Sequence, residues 1–312
     1  MLFPKHILEI TDLSREQLED LIKETQRFAF TEKETNTLLK NKSVRLIFDS
    51  NSLRTKASFE RATDLMGGHH YFHEIADLVK EKDGTPREDV RDVIRSLDML
   101  GTNVYVIRDY SRKFLETAVK TTNTPIINGF SITGHPSQII ADLAIFKKNK
   151  EYMKFDYASI VPNWGSGDVE SFTYGVLMLG ENITLITPNA NYNPINENFF
   201  QKVDELTKRY GGKFKVTAST DVVKEVDVLY GDEWWKPGVD INDVPVPKEY
   251  QINSELIKNT KRFLSVSHYQ PAHRGREITN EVMERHKFTI EPQTQMRLFS
   301  AMSLLDYVVN KL

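Results

Sequence analysis

The chain of 312 residues contains no cysteine, which excludes disulfides, thiolate metal ligands and a cysteine nucleophile together and fits a reducing compartment. It also lacks a charge excess: 41 lysines and arginines stand against 44 acidic residues, a formal net charge of -3. That balance excludes the broad basic surface with which proteins grip nucleic acid or an anionic membrane, so any anion site must be local. No apolar run approaches the ~18 residues that a membrane helix needs. The opening stretch MLFPKHILEITDLSREQLEDL turns charged too early for a signal-peptide core, and a soluble, cytoplasmic protein is expected. What remains is the composition of a protein with a real core, 39% hydrophobic and 27% charged, and enough length for two domains.

Order along the chain begins with a capping box, Ser14-Arg15-Glu16-Gln17, followed by Leu18, Leu21, Ile22 and Phe28 at helical spacing. Apolar strands then alternate with amphipathic helices. In the first half the pattern predicts strands over 43–48, 103–108 and 125–128, and helices over 56–66, 87–100, 112–121 and 136–148. In the second it predicts strands over 157–162, 182–187, 214–217, 226–230 and 262–266. Helices are predicted over 169–179, 196–210, 279–286 and 295–310, with a short one near 221. Such alternation implies an α/β fold of two doubly wound domains, each a mainly parallel sheet flanked by helices. The run Lys147-Lys148-Asn149-Lys150 is the candidate joint, although a solvated surface has the same composition. It divides 1–148 from 149–294, with the last helix, 295–312, expected to pack back on the first domain.

Open α/β sheets bind ligands where helix N-termini meet the carboxyl ends of strands. The stretch FDSNSLRTKASFE, residues 48–60, sits at such a place. Backbone N–H groups, the hydroxyls of Ser52 and Thr55 and the guanidinium of Arg54 would cradle an oxyanion there. Equally, Ser52 or Thr55 would serve as a simple helix cap and Arg54 as a surface charge. The strand Val104-Tyr105-Val106-Ile107 runs into Arg108, which is placed to reach the same edge or to face solvent. In Gly134-His135-Pro136-Ser137-Gln138, Pro136 suits a first helical turn, putting His135 at the helix entrance and Gln138 one turn inside. An imidazole donates to a developing oxyanion and a carboxamide reads an –NH2 group.

Taken together, S-L-R-T-K, a strand-end arginine and H-P-S-Q followed by Ala141-Asp142-Leu143 resemble the aspartate/ornithine carbamoyltransferase family. Its signatures are S-T-R-T-R and H-P-x-Q-x-x-x-D-L. Gly84-Thr85-Pro86-Arg87-Glu88-Asp89 resembles the family's mobile G-E-S-x-x-D loop, and Asp227-Val228-Leu229-Tyr230-Gly231-Asp232-Glu233-Trp234 the ornithine branch's D-V-V-Y-T-D-V-W. His268-Tyr269-Gln270-Pro271-Ala272-His273-Arg274-Gly275 resembles H-C-L-P-A-H-R-G. The motifs follow one another in family order over nearly the whole chain.

The resemblance implies an enzyme that transfers the carbamoyl group of carbamoyl phosphate to an amine and releases phosphate, with no metal and no cofactor. On it, Ser52, Arg54, Thr55 and the N–H of Leu53 hold the phosphate. Arg108 and His135 polarise the carbamoyl oxygen, Gln138 accepts from the carbamoyl –NH2, and Arg297 joins the cluster. The domain 1–148 then binds carbamoyl phosphate and 149–294 the acceptor. Family analogy also implies a homotrimer in which a loop lysine, Lys80 or Lys82, reaches a neighbouring subunit. Departures gather on the acceptor side. Tyr269 stands where the ornithine branch has cysteine, the Asn-Asn of its G-D-G-N-N turn is not recognisable in Pro162–Asp168, and Trp235-Lys236-Pro237-Gly238 replaces its S-M-G. Leu53 and Lys56 replace a threonine and an arginine at the donor site. Asp232 suits an amino group and Lys236 a carboxylate, so ornithine or an ornithine-like derivative is the expected acceptor. The same departures admit a relative that binds a ligand without turning it over. Two further segments carry little: Gly67-Gly68-His69-His70-Tyr71-Phe72-His73 lacks carboxylates at metal-ligand spacing, and Gly165-Ser166-Gly167-Asp168 lacks the third glycine of a dinucleotide loop.

Overall fold

A computed structural model describes residues 5–30, 37–147, 154–235, 238–261 and 264–310. The chain divides into two compact units, Met1–Ala144 with Thr294–Leu312, and Ile145–Gln293. In the first unit, β1 (Ser43–Phe48), β2 (His69–Glu74), β3 (Val104–Arg108) and β4 (Ile126–Phe130) form a parallel sheet in the order β2-β1-β3-β4. The chain starts at β1, adds β2 on one side, then returns to add β3 and β4 on the other. This makes a topological switch point between β1 and β3, where the loops leaving the two strands diverge. Their ends are level, Phe48 being in register with Arg108. From this edge the chain enters α2 (Leu53–Leu65) after β1, α5 (Lys113–Thr121) after β3 and α6 (Pro136–Phe146) after β4.

Two N-terminal caps form as the side chains dictate. The capping box of α1 (Arg15–Phe28) closes through Ser14 and Gln17, and α4 (Val90–Met99) starts only where Asp89 accepts the N–H of Arg91 at 2.8 Å. The helix predicted from 87 therefore begins three residues later, beyond its cap. Strand β2 is absent from the sequence-based reading. As the sheet's edge strand it is mostly unburied, so His69-His70-Tyr71-Phe72-His73-Glu74 shows none of the apolar run that marks its neighbours. The helix α3 (Ile75–Val79) follows it directly. The last helix, α12 (Pro292–Asn310), is buried from Phe299 to Val308. Its Ser303 hydroxyl meets that of Thr25 in α1 at 2.9 Å, and Ser300 donates to the Ser137 carbonyl in α6 at 2.8 Å.

The second unit repeats the plan with β5 (Asp156–Ile160), β6 (Asn182–Ile186), β7 (Phe214–Thr217), β8 (Val228–Gly231) and β9 (Ser265–His268), all parallel, in the order β7-β6-β5-β8-β9. Its switch point lies between β5 and β8; α7 (Gly167–Met178) starts just beyond the end of β5, and α8 (Phe199–Tyr210), α9 (Ser254–Ile257), α10 (Asn280–Arg285) and α11 (Lys287–Ile290) follow before α12. The strand predicted over 262–266 is β9; Arg262 and Phe263 lie outside the described residues, as do Lys148, Asn149 and Lys150 of the expected joint. Lys147 is described, and its ammonium pairs with the buried Glu181. The other Glu181 oxygen accepts from the Tyr157 hydroxyl at 3.0 Å, and the N–H of Phe155 donates to the first at 3.1 Å. Burial raises the Glu181 pKa while Lys147 and the two other donors oppose the rise.

Truncating one member of a buried ion pair leaves the other charge desolvated and unmatched, at a cost of about 3–5 kcal/mol. Glu181→Ala should lower the urea stability of the second unit by that order, and Lys147→Met added to Glu181→Ala should recover part of the loss. A single-variant loss below ~1 kcal/mol would show that the pair is solvated.

Candidate functional site

At the switch point of the first unit the loops after β1 and β3 are braced together. The N–H of Asp49 donates to the Arg108 carbonyl at 2.9 Å, and the Asp49 carboxylate accepts the N–H of Tyr110 at 2.6 Å. This holds the start of α2 beside Arg108. Ser52 occupies the N-cap of α2, yet its side chain makes no capping hydrogen bond. The N–H groups of the first turn, Leu53 to Thr55, have no acceptor further back along the helix, so their partial positive charge is directed off the helix end. Thr55 does not cap either: its hydroxyl oxygen accepts from the guanidinium of Arg297 in α12.

The same Arg297 nitrogen lies 3.2 Å from Nε2 of His135, and Thr55, His135 and Arg297 are all buried. Arginine only donates, so Nε2 of His135 is the acceptor, the ring is neutral and its proton sits on Nδ1. Thr55, having accepted from Arg297, keeps its hydroxyl hydrogen to donate. The structure thus brings together three of the residues singled out in the sequence. Arg108 joins them through an aromatic spacer. Its guanidinium carbon lies 4.3 Å from the centre of the Phe130 ring, whose edge-to-face partner at 5.2 Å is the His135 imidazole. Gln138 is buried one turn into α6. Leu53 points outward, 81% exposed, and the Lys56 ammonium sits 3.5 Å above the Phe72 ring of β2.

The entry to α6 is shaped by Asn128, which the sequence reading passed over. From within β4 its amide donates to the Leu8 carbonyl at 2.8 Å, the Ser131 hydroxyl at 2.9 Å and the Gly134 carbonyl at 3.1 Å. Its own oxygen accepts the N–H of Phe130 at 3.0 Å. One side chain therefore sets both the ring beside Arg108 and the turn that delivers His135. A buried Asn at a strand end was the only signal, and its partners are set by tertiary structure.

In the second unit, Asp232 follows β8 and Tyr269 follows β9, with the Tyr269 N–H donating to the Gly231 carbonyl at 3.2 Å. Asp232 is buried and accepts the N–H of Glu233 at 2.8 Å. Burial first, and then the neighbouring Asp168 carboxylate, push its pKa well above the ordinary carboxylate range; the Glu233 N–H and the Ser166 hydroxyl oppose this. The Tyr269 ring is packed in the core, 4.0 Å between centroids from Tyr230 and 6.0 Å from Phe172. His268 accepts the N–H of Gln270 on Nδ1 at 2.9 Å, and its Nε2 lies 3.5 Å from the Glu277 carboxylate. Lys236 lies outside the described residues. The segment around His69 supplies no metal cluster among the described residues: His70 pairs with Asp64 at 3.0 Å and His73 meets Arg45 at 3.1 Å.

Two parallel sheets with polar groups gathered at their switch points define a class, the α/β enzymes that handle small polar substrates at strand ends. Residues 5–148 match the carbamoyl-P binding domain of aspartate/ornithine carbamoyltransferase, and residues 166–308 match its Asp/Orn binding domain. The second match runs on through most of α12, which packs in the first unit. An ornithine carbamoyltransferase of Methanococcus vannielii is 32% identical, over 97% of this chain and 98% of its own length. That of Methanococcus aeolicus is 30% identical, over 98% of this chain and all of its own. The solved ornithine carbamoyltransferase of Pyrococcus furiosus superposes with a TM-score of 0.88 at 26% identity, covering 100% of this chain and 99% of the other. The chain belongs to the aspartate/ornithine carbamoyltransferase family and is a carbamoyltransferase. Among its described residues no helix is long and apolar enough to cross a membrane.

The raised pKa of Asp232 has a sign that can be tested. A carboxyl whose folded pKa exceeds the unfolded value binds more protons when folded, so stability falls as pH rises between the two values. Asp232→Asn, which mimics the protonated form, should make the second unit more resistant to urea than the parent at pH 8. The gain should shrink as pH approaches 4. Equal stability of the two proteins at both pH values would mean that Asp232 is solvated.

Proposed function

We propose that this carbamoyltransferase moves the carbamoyl group of carbamoyl phosphate to an amine of ornithine or an ornithine-like derivative, releasing phosphate. The observation that carries the donor half is the buried Thr55–Arg297–His135 group beside the uncapped start of α2. In this reading the N–H groups of Leu53 to Thr55, with Ser52 and Arg54, hold the phosphate by charge-assisted hydrogen bonds. The amine nitrogen attacks the carbonyl carbon, and negative charge builds on the carbonyl oxygen. Arg108, His135, Thr55 and Arg297 supply fixed donors for that charge, which lowers the barrier without a metal or cofactor. The C–O bond to phosphate then breaks. The amine enters unprotonated, and the proton it sheds after attack leaves on the departing phosphate.

On this reading the first unit binds carbamoyl phosphate and the second the acceptor. Asp232, ionised, would take an amino group of the acceptor and Lys236 a carboxylate. Tyr269 would contribute through its backbone, since its ring is packed against Tyr230 and Phe172. The names of the relatives support ornithine as acceptor. We further propose a homotrimer working in the cytoplasm, as family analogy and the absence of cysteine suggest.

Incubation with carbamoyl phosphate and, in turn, ornithine, acylated ornithines, lysine, putrescine and aspartate should yield a ureido product, seen by mass spectrometry, from ornithine or one of its derivatives alone. Arg54→Ala should reduce amine-dependent phosphate release by about 10³-fold or more, the scale of losing a charged oxyanion contact. Parent-like activity in that variant would remove the donor-site assignment. A ureido product from aspartate or putrescine alone would remove the acceptor assignment.

A further inference from the structure

The proposed role of Gln138 requires its carbonyl end to face the donor, yet a primary amide presents an acceptor and a donor of nearly equal shape. If it turned over, –NH2 would face –NH2. The structure contains a group that decides between the two ends. The Gln138 Nε2 donates to both carboxylate oxygens of Asp142, at 2.9 Å and 3.1 Å. The two residues are four apart in α6, so they lie on one face of the helix, and they are 2% and 0% exposed. Both carboxyl oxygens of Asp142 lie against Nε2, so the –NH2 end of the amide is taken up there and Oε1 is turned the opposite way. A flipped amide would set oxygen against two carboxylate oxygens in a buried, weakly screened place.

We propose that Asp142 is a positioning residue for donor specificity: by holding Nε2 of Gln138 it presents Oε1 to the carbamoyl –NH2 and selects carbamoyl phosphate over acyl phosphates that carry methyl at that position. This rests on the reading of Gln138 given above. The two are separable because acetyl phosphate keeps the phosphate and the carbonyl oxygen and lacks only the –NH2. An acceptor left facing a methyl group goes unpaired, which makes a carboxamide a strong discriminator.

The measurement is the ratio of the acetyl phosphate inhibition constant to the carbamoyl phosphate KM within one preparation, so that the fraction of folded enzyme cancels. In Asp142→Ala the ratio should fall about tenfold, the scale of one neutral hydrogen bond in a buried site. Asp142→Asn, which still offers Nε2 an acceptor in one of its two orientations, should stay within about twofold of the parent. Gln138→Ala should lower the ratio as Asp142→Ala does, and the double variant should show no further fall. Inorganic phosphate, which has no –NH2, should bind all of them alike.

Should Gln138→Ala lower the ratio while Asp142→Ala leaves it at the parent value, the positioning proposal is overturned and the Gln138 reading stands. An unchanged ratio in Gln138→Ala overturns both. Weakening of carbamoyl phosphate, acetyl phosphate and phosphate in equal proportion would assign Asp142 to the fold. Asp142→Ser serves in place of Asp142→Ala if the latter does not fold, and collapse of both would again assign Asp142 to the fold and overturn the proposal.

Discussion

The hydrogen bonds of Arg297 to Thr55 and His135 join α12 to α2 and α6 at the place where both helices begin. A guanidinium cannot shed its proton, so burying it in this unit requires acceptors at fixed positions. A hydroxyl and a neutral imidazole supply two of them, and in doing so each takes a defined orientation. The burial of α12 and the geometry of the candidate site are therefore one problem with one solution. Residues some 160 and 240 positions apart in sequence are thereby held together.

Beneath that contact lies the constraint of the parallel sheet. Parallel strands end on one edge, so each strand hands its chain over to a loop on the same side. In the first unit, β1, β3 and β4 deliver Ser52, Arg108 and His135 to that edge. The switch point between β1 and β3 parts the loops, and the Asp49 brace keeps them in register. Phe130, at the end of β4, fills the space between Arg108 and His135. The second unit obeys the same rule, with Ser166 and Asp168 after β5 and Asp232 after β8 on either side of its own switch point.

This rule is why much was legible in the sequence. An apolar run that stops at S-L-R-T-K or R-D, or passes through a short turn to H-P-S-Q, announces a strand end and a helix start, and chemistry placed there has little choice of direction. The edge strand β2 was not legible, because a strand flanked on one side only needs no apolar run. Arg297 was legible only through resemblance, since a lone arginine near the start of an apolar helix gives no sign of its partners. Asn128 and Phe130 were missed for the same reason: their meaning lies in what tertiary packing puts beside them. Asp142 was visible as part of a motif, while its bond to Gln138 needed the helix face to be seen.

At position 269 the motif of the ornithine branch is broken by a tyrosine, and the physical form of that departure limits what it changes. A tyrosine in place of cysteine adds a large ring that must either enter the ligand space or be buried. Here it is buried, tilted against Tyr230 and edge-on to Phe172, in a cluster that also holds Tyr157 and Phe146. Tyr269 therefore keeps its backbone at the strand end while its side chain becomes core. The backbone is fixed from both directions, by the Gly231 carbonyl that accepts the Tyr269 N–H and by the His268 ring that accepts the N–H of Gln270. A Cβ on Gly231 would come within 2.9 Å of His268, so glycine at 231 is part of the same fit. A tyrosine here thus adds aromatic packing beneath the end of β9. On the proposed reading, the buried carboxyl of Asp232, one residue beyond β8, is the group that an acceptor amine would meet at that strand end.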